Sequence, residues 1–126
     1  MVVILCLWYP DWEFYLETHN KMIEEFGGYY GLSLYPDIAF AHIINEVKQV
    51  EGLYEKAGTL LDKLRNTRLV DDGLRRTAFT VTASFLEMND GKVAEMEQER
   101  IIIFMKEGIL RCDSIQIARW LEYGEI

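Results

Sequence analysis

Apolar residues fall at helical spacing in one segment of this chain after another, and that periodicity restricts the fold more than any other feature. Trp12, Tyr15, Leu16, His19, Met22, Ile23 and Phe26 share one helical face, with Asp11 placed to cap its start and Gly27-Gly28 to end it. Pro36 suits the first turn of a second helix, with Asp37 beside it and Phe40, Ile43, Ile44 and Val47 as its buried stripe. After Gly52, a third helix has Leu53, Ala57, Leu60, Leu61 and Leu64 as its seam. Gly58 sits inside it at a cost of about 1 kcal/mol relative to alanine, which a close helix contact would explain. In the fourth helix Leu74, Ala78, Val81, Thr82, Phe85 and Leu86 keep the spacing, and Asn89-Asp90-Gly91 stops it. Burying Val81 or Phe85 is worth roughly 1.5–3 kcal/mol each, so this helix is expected to be central.

A fifth helix is expected to begin at Ala94. Glu95, Glu97 and Glu99 suit its dipole, Ile101 to Met105 is apolar on all sides and expected to be enclosed, and Gly108 is the stop. Asp113 and Gln116 form a capping-box pair for the last helix, which Ile117, Trp120 and Leu121 would dock. Internal repeats, low-complexity tracts and linkers are not evident. The expected fold is all-α: one domain over residues 1–126, built as a compact bundle of about six helices.

Two stretches fall outside this pattern. Gly27 to Tyr35 is rich in glycine and aromatic residues without a helical period, and reads as a loop or a short flap hairpin. Its tyrosines, Tyr29 and Tyr30, either meet a partner or fold back over the core. Met1 to Trp8 is apolar but lacks a basic start and a small-residue cleavage site, and is far shorter than a membrane span. It is expected to form a short strand or a strap across the core, with no membrane as partner.

Half of the residues are apolar and 13% are aromatic, which excludes a disordered chain. A formal net charge of −8 removes the general electrostatic footprint of a nucleic-acid binder, so no nucleic acid is expected. Cys6 and Cys112 match no metal spacing and read as reduced thiols in a cytoplasm.

The segment from Arg68 to Ala78 carries the most chemistry. Asp71, Asp72 and Gly73 stand at the mouth of the fourth helix, and Arg75 and Arg76 occupy its first turn. A helix N-terminus already bears partial positive charge, so two cations there call for a nearby anion. One reading supplies it from within, with Asp72 capping the helix and pairing with Arg76. The other supplies it from outside, as a bound phosphate on the free N–H groups. Arg76 would then pair with phosphate bidentately, Arg75 would add charge, and Gly73 would let the chain approach closely. Asp72 would hold Mg²⁺ through its carboxylate. His19 reads as a core residue of the first helix rather than a ligand, and His42 has no assigned role.

Leu53-Tyr54-Glu55-Lys56-Ala57-Gly58-Thr59-Leu60-Leu61, followed by Val70-Asp71-Asp72-Gly73-Leu74-Arg75-Arg76-Thr77-Ala78, resembles the Fic/Doc (Fido) family. Within it the chain is most similar to the death-on-curing, or Doc, proteins, whose helical run leads into H-x-F-x-D-G-N-K-R-T-A. The similarity extends back to Leu16-Glu17-Thr18-His19-Asn20 and Glu24-Glu25-Phe26-Gly27-Gly28, and forward to Phe85-Leu86-Glu87-Met88-Asn89-Asp90-Gly91. Aligned without a gap, Asp72, Gly73 and Arg76 match the motif. Arg68 stands at the catalytic histidine, Val70 at the anchoring phenylalanine, Leu74 at the asparagine and Arg75 at the lysine.

The resemblance implies a nucleotide such as ATP with Mg²⁺, phosphate held at Gly73, Arg75 and Arg76, and the metal at Asp72. It also implies a protein substrate and a small antitoxin as partners. Fic members usually transfer AMP to a protein hydroxyl, and Doc members transfer phosphate to a translation factor. In both, the histidine is the base on the incoming hydroxyl. Arg68 stays protonated and has no base function, so the usual activity is expected to be lost. The expected function is that of a degenerate family member that keeps part of a phosphate-binding loop. Two alternatives stay open: phosphoryl or AMP transfer without a histidine, through positioning and charge, and a non-catalytic interaction domain.

Overall fold

A computed structural model describes residues 6–126 of the chain. They form six α-helices: α1 (Trp12–Phe26), α2 (Pro36–Lys48), α3 (Leu53–Asn66), α4 (Leu74–Met88), α5 (Gln98–Lys106) and α6 (Ser114–Tyr123), with a 3-10 turn at Gly108–Arg111. The described residues include no β-strand. The all-helical bundle expected from periodicity is therefore present.

Capping chemistry sets several boundaries. Asp11 accepts a hydrogen bond from the Phe14 N–H at 2.8 Å, and Gly27, at φ 86°, closes α1. Asp113 and Gln116 form the complete capping box of α6, each side chain bonding the other's backbone N–H. Pro36 begins α2, and Asn89 ends α4.

Helix α3 lies at the centre, packed against α2, α4 and α6. Leu60, Leu61 and Leu64 are fully buried, as are Val81 and Phe85 of α4. Gly58 is where α6 comes closest. A Cβ there would collide with the Ser114 carbonyl oxygen and lie 2.8 Å from the Ala118 nitrogen. The glycine thus permits the helix contact that its cost implied. Phe104 of α5 stacks on Trp120 of α6 at 3.7 Å between ring centroids, which fastens α5 to the bundle.

Sequence expectation and structure part at several points. Helix α5 begins at Gln98 rather than Ala94. The Ala94 N–H donates instead to the Leu121 carbonyl at 2.7 Å, so this stretch runs along α6 before the helix starts. Nor is the apolar run enclosed on all sides: Phe104 and Met105 are buried, but Ile102 and Ile103 are 54% and 61% exposed. An edge helix meets the bundle with one side only.

Gly27 to Tyr35 does not fold on itself as a hairpin. It lies along the chain before α4, with one antiparallel bridge between Leu32 and Val70. Ser33 N–H donates to the Leu69 carbonyl and Asp71 N–H to the Gly31 carbonyl, each at 3.0 Å. At the other end of the chain, Trp8 and Tyr9 pack against the core as a strap. Asn89 holds it by accepting from the Trp8 N–H and donating to the Trp8 carbonyl, both at 2.8 Å. The strand expected over Met1 to Trp8 falls mostly outside the described residues.

Candidate anion-binding groove

The turn from Leu69 to Gly73 is held from three sides. Leu69 and Val70 point into the core, both essentially inaccessible to solvent. Valine thus serves as the apolar anchor of the loop. From α1, the His19 ring donates through Nε2 to the Asp72 carbonyl at 2.8 Å. The Tyr29 N–H donates to Asp72 Oδ2, also at 2.8 Å. Gly73 then turns the chain into α4 with φ 75° and ψ 15°, a left-handed conformation suited to glycine. A Cβ at this position would lie 3.3 Å from Ile23 Cδ1.

These bonds correct one reading of the loop. The Asp72 carboxylate faces the Tyr29 backbone and does not cap α4, whose N-terminus carries no side-chain cap. Arg76 is not paired with it either. Its guanidinium lies over the Phe26 ring of α1, 4.3 Å from the centroid. The charge at the start of α4 is therefore not met from within by Asp72.

Outside the turn lies an open groove of about 1040 Å³. Five cations line it, Arg65, Arg68, Arg75, Arg76 and Lys106, against three carboxylates, Glu25, Asp71 and Asp72. It is thus locally basic on a chain of net charge −8. The ion pair found among the described residues, Lys63 with Glu46 at 3.1 Å, involves none of these cations. Met22, Phe26, Phe79, Ile101, Ile102 and Met105 supply apolar wall.

Arg65 and Lys106 were absent from the candidate residues drawn from the sequence. Arg65 lies in the last turn of α3, and its Nε donates to the Met105 carbonyl at 2.8 Å. Burial, and then the neighbouring Arg75 charge, push its guanidinium below the ordinary arginine range. Its distance in sequence from α5 hides this contact. A cation beside the motif was the available signal.

Asp72, Gly73, Arg75 and Arg76 come together on the groove, joined by Arg68 and Leu74. Neither histidine lines it: His19 is buried behind the turn, and His42 is exposed on α2. Among the described residues no group of three or more His, Cys, Asp or Glu side chains is arranged for a metal. Of the three carboxylates on the groove, Asp72 is the one next to Gly73 at the start of α4, and Mg²⁺ needs only one or two carboxylates when phosphates complete its shell. Comparison of the sequence with protein-family models and with curated proteins returns no match.

Proposed function

We propose that this groove binds a phosphate-bearing ligand, and that the protein is a degenerate Fic/Doc-like domain that binds without the family's usual chemistry. The observation that carries this reading is the set of arginines at the start of α4, which has no side-chain cap, without acidic side-chain partners among the described residues, on an otherwise acidic protein. Helix N–H groups and guanidinium groups are both complementary to phosphate oxygens. Gly73 lets the ligand approach the backbone, Arg76 contacts its phosphate, and Arg75 and Arg68 add charge beside it.

A nucleotide such as ATP fits this donor set, with the apolar wall beside the cations available to its base. Mg²⁺ fits as a partner of Asp72 and the phosphates, where it would neutralise phosphate charge. No imidazole is placed to take a proton from an attacking hydroxyl, and Arg68 stays charged. Binding is therefore the favoured function over AMP or phosphate transfer to a protein hydroxyl.

Isothermal titration with ATP and Mg²⁺, and with inorganic phosphate, tests the reading. Saturable binding that Arg76→Ala weakens by about tenfold or more supports it, in line with the loss of charge-assisted hydrogen bonds. No binding at millimolar ligand rejects it. Incubation with labelled ATP and cell lysate tests the transferase alternative, which requires label transfer that Asp72→Ala abolishes.

An interaction role is the second reading. Tyr29, Leu34 and Tyr35 of the segment beside the groove are 79%, 88% and 71% exposed, and exposed apolar side chains gathered in one segment are a common feature of interaction surfaces. A protein substrate or a small antitoxin would be the partner, and co-purification from the native host tests for it.

A further inference from the structure

Two of the groove's arginines are held toward different helices. Arg76 rests on Phe26, the last residue of α1. Arg65 is drawn the other way, to the end of α5, where it bonds the Met105 carbonyl through Nε and the Lys106 carbonyl through Nη2 at 3.5 Å. Those bonds fix the guanidinium plane and leave further N–H donors for a ligand. Arg75 lies near enough to act electrostatically on Arg65, and both line the groove with Lys106. None of the three pairs with a carboxylate among the described residues. Like charges gathered in this way repel one another unless a counter-ion lies between them.

We infer that Arg65 is a further anion-binding residue, and that with Arg75 and Lys106 it forms a second cationic pole of the groove. The ligand class is thereby narrowed to molecules with more than one anionic group, of which a polyphosphate is the simplest. This rests on the phosphate-binding reading of the groove. The α4 turn and Arg76 would hold one anionic group, and the Arg65 pole would hold the next. Arg65 selects by count of anionic groups, whereas the turn accepts any phosphate. The two poles also give α5 a stake in binding, because Arg65 is anchored to its last carbonyls.

Titration of the whole chain with orthophosphate and with tripolyphosphate, at fixed ionic strength and without metal, decides the matter. Tripolyphosphate should bind at least about tenfold more tightly than orthophosphate, as an added charge-assisted contact requires. Arg65→Gln should collapse that ratio toward one. Because Arg65 also bonds α5, thermal unfolding checks that this variant is folded. Arg75→Gln, at an exposed position whose side chain makes no hydrogen bond to the described residues, should lower the ratio without this complication. Equal binding of the two anions, or an unchanged ratio in both folded variants, overturns the second pole while leaving the phosphate-binding reading standing. Failure of both anions to bind overturns the two together.

Discussion

The His19 ring lies 2.8 Å from the carbonyl oxygen of Asp72, so a core side chain of α1 holds the turn from which α4 starts. A carbonyl only accepts, so Nε2 is the donor. Nδ1 is then left buried without a partner among the described residues. The groove's geometry thus depends on a residue that does not line it. His19→Ala should lower stability by about 2–4 kcal/mol, from the lost contacts and the orphaned carbonyl. Urea unfolding measures this. Anion affinity should fall as well, because the turn loses its support.

Gly58→Ala tests the α3–α6 contact. Alanine is the better helix former by about 1 kcal/mol, yet its methyl would meet backbone atoms of Ser114 and Ala118. Backbone yields less readily than a flexible side chain, so overpacking should prevail, with a net loss of about 1–2 kcal/mol. A gain of stability on thermal unfolding would mean that α6 is not this close.

Tyr15 is fully buried, and its hydroxyl has no hydrogen-bond partner among the described residues. Burial raises its pKa from the ordinary value of 10.0, so the phenol stays protonated in the folded chain after it has ionised in the unfolded one. The unfolded state then binds fewer protons, and stability falls as pH rises above about 10. Tyr15→Phe removes both the orphaned hydroxyl and this ionisation. It should leave stability unchanged or raise it by up to about 1 kcal/mol at neutral pH, and should reduce the alkaline loss. Chemical unfolding at neutral pH and at pH values above the tyrosine range measures both effects.

Restoring family residues in the loop should separate into two outcomes. Arg68 is exposed, so Arg68→His should leave stability within about 0.5 kcal/mol. Val70 is 1% exposed, so Val70→Phe must enlarge a filled site and should cost about 1–3 kcal/mol. Thermal unfolding of the two single variants checks this. The labelled-ATP assay on Arg68→His then asks whether an imidazole at this position restores transfer.

Much of the bundle was legible because its signals are local. Asp11, Gly27, Pro36 and Asp113 act on neighbours within a turn, and the seams of α3 and α4 appear directly as helical spacing. The start of α5 was not legible. Glu95 and Glu97 suit a helix, but the N–H of Ala94 is taken by Leu121, a residue distant in sequence. Lys56 lies outside the apolar seam that spacing marks on α3, yet it is buried, with its amine donating to the Val47 and Lys48 carbonyls at the end of α2. Ile102 and Ile103 were misread in the opposite sense, because periodicity cannot tell an edge helix from an enclosed one.

The sequence by itself determined an all-helical chain and the clustering of Asp72, Gly73, Arg75 and Arg76 at one helix start, since propensity, capping and spacing operate over a few residues. Only the tertiary structure decided which charges are satisfied there. Tyr29 takes the Asp72 carboxylate, Phe26 takes the face of Arg76, and α5 brings Lys106 to the groove while its Met105 carbonyl holds Arg65 of α3 there. Electrostatic fit depends on distance through space, and that distance is set only when helices far apart in the chain pack together.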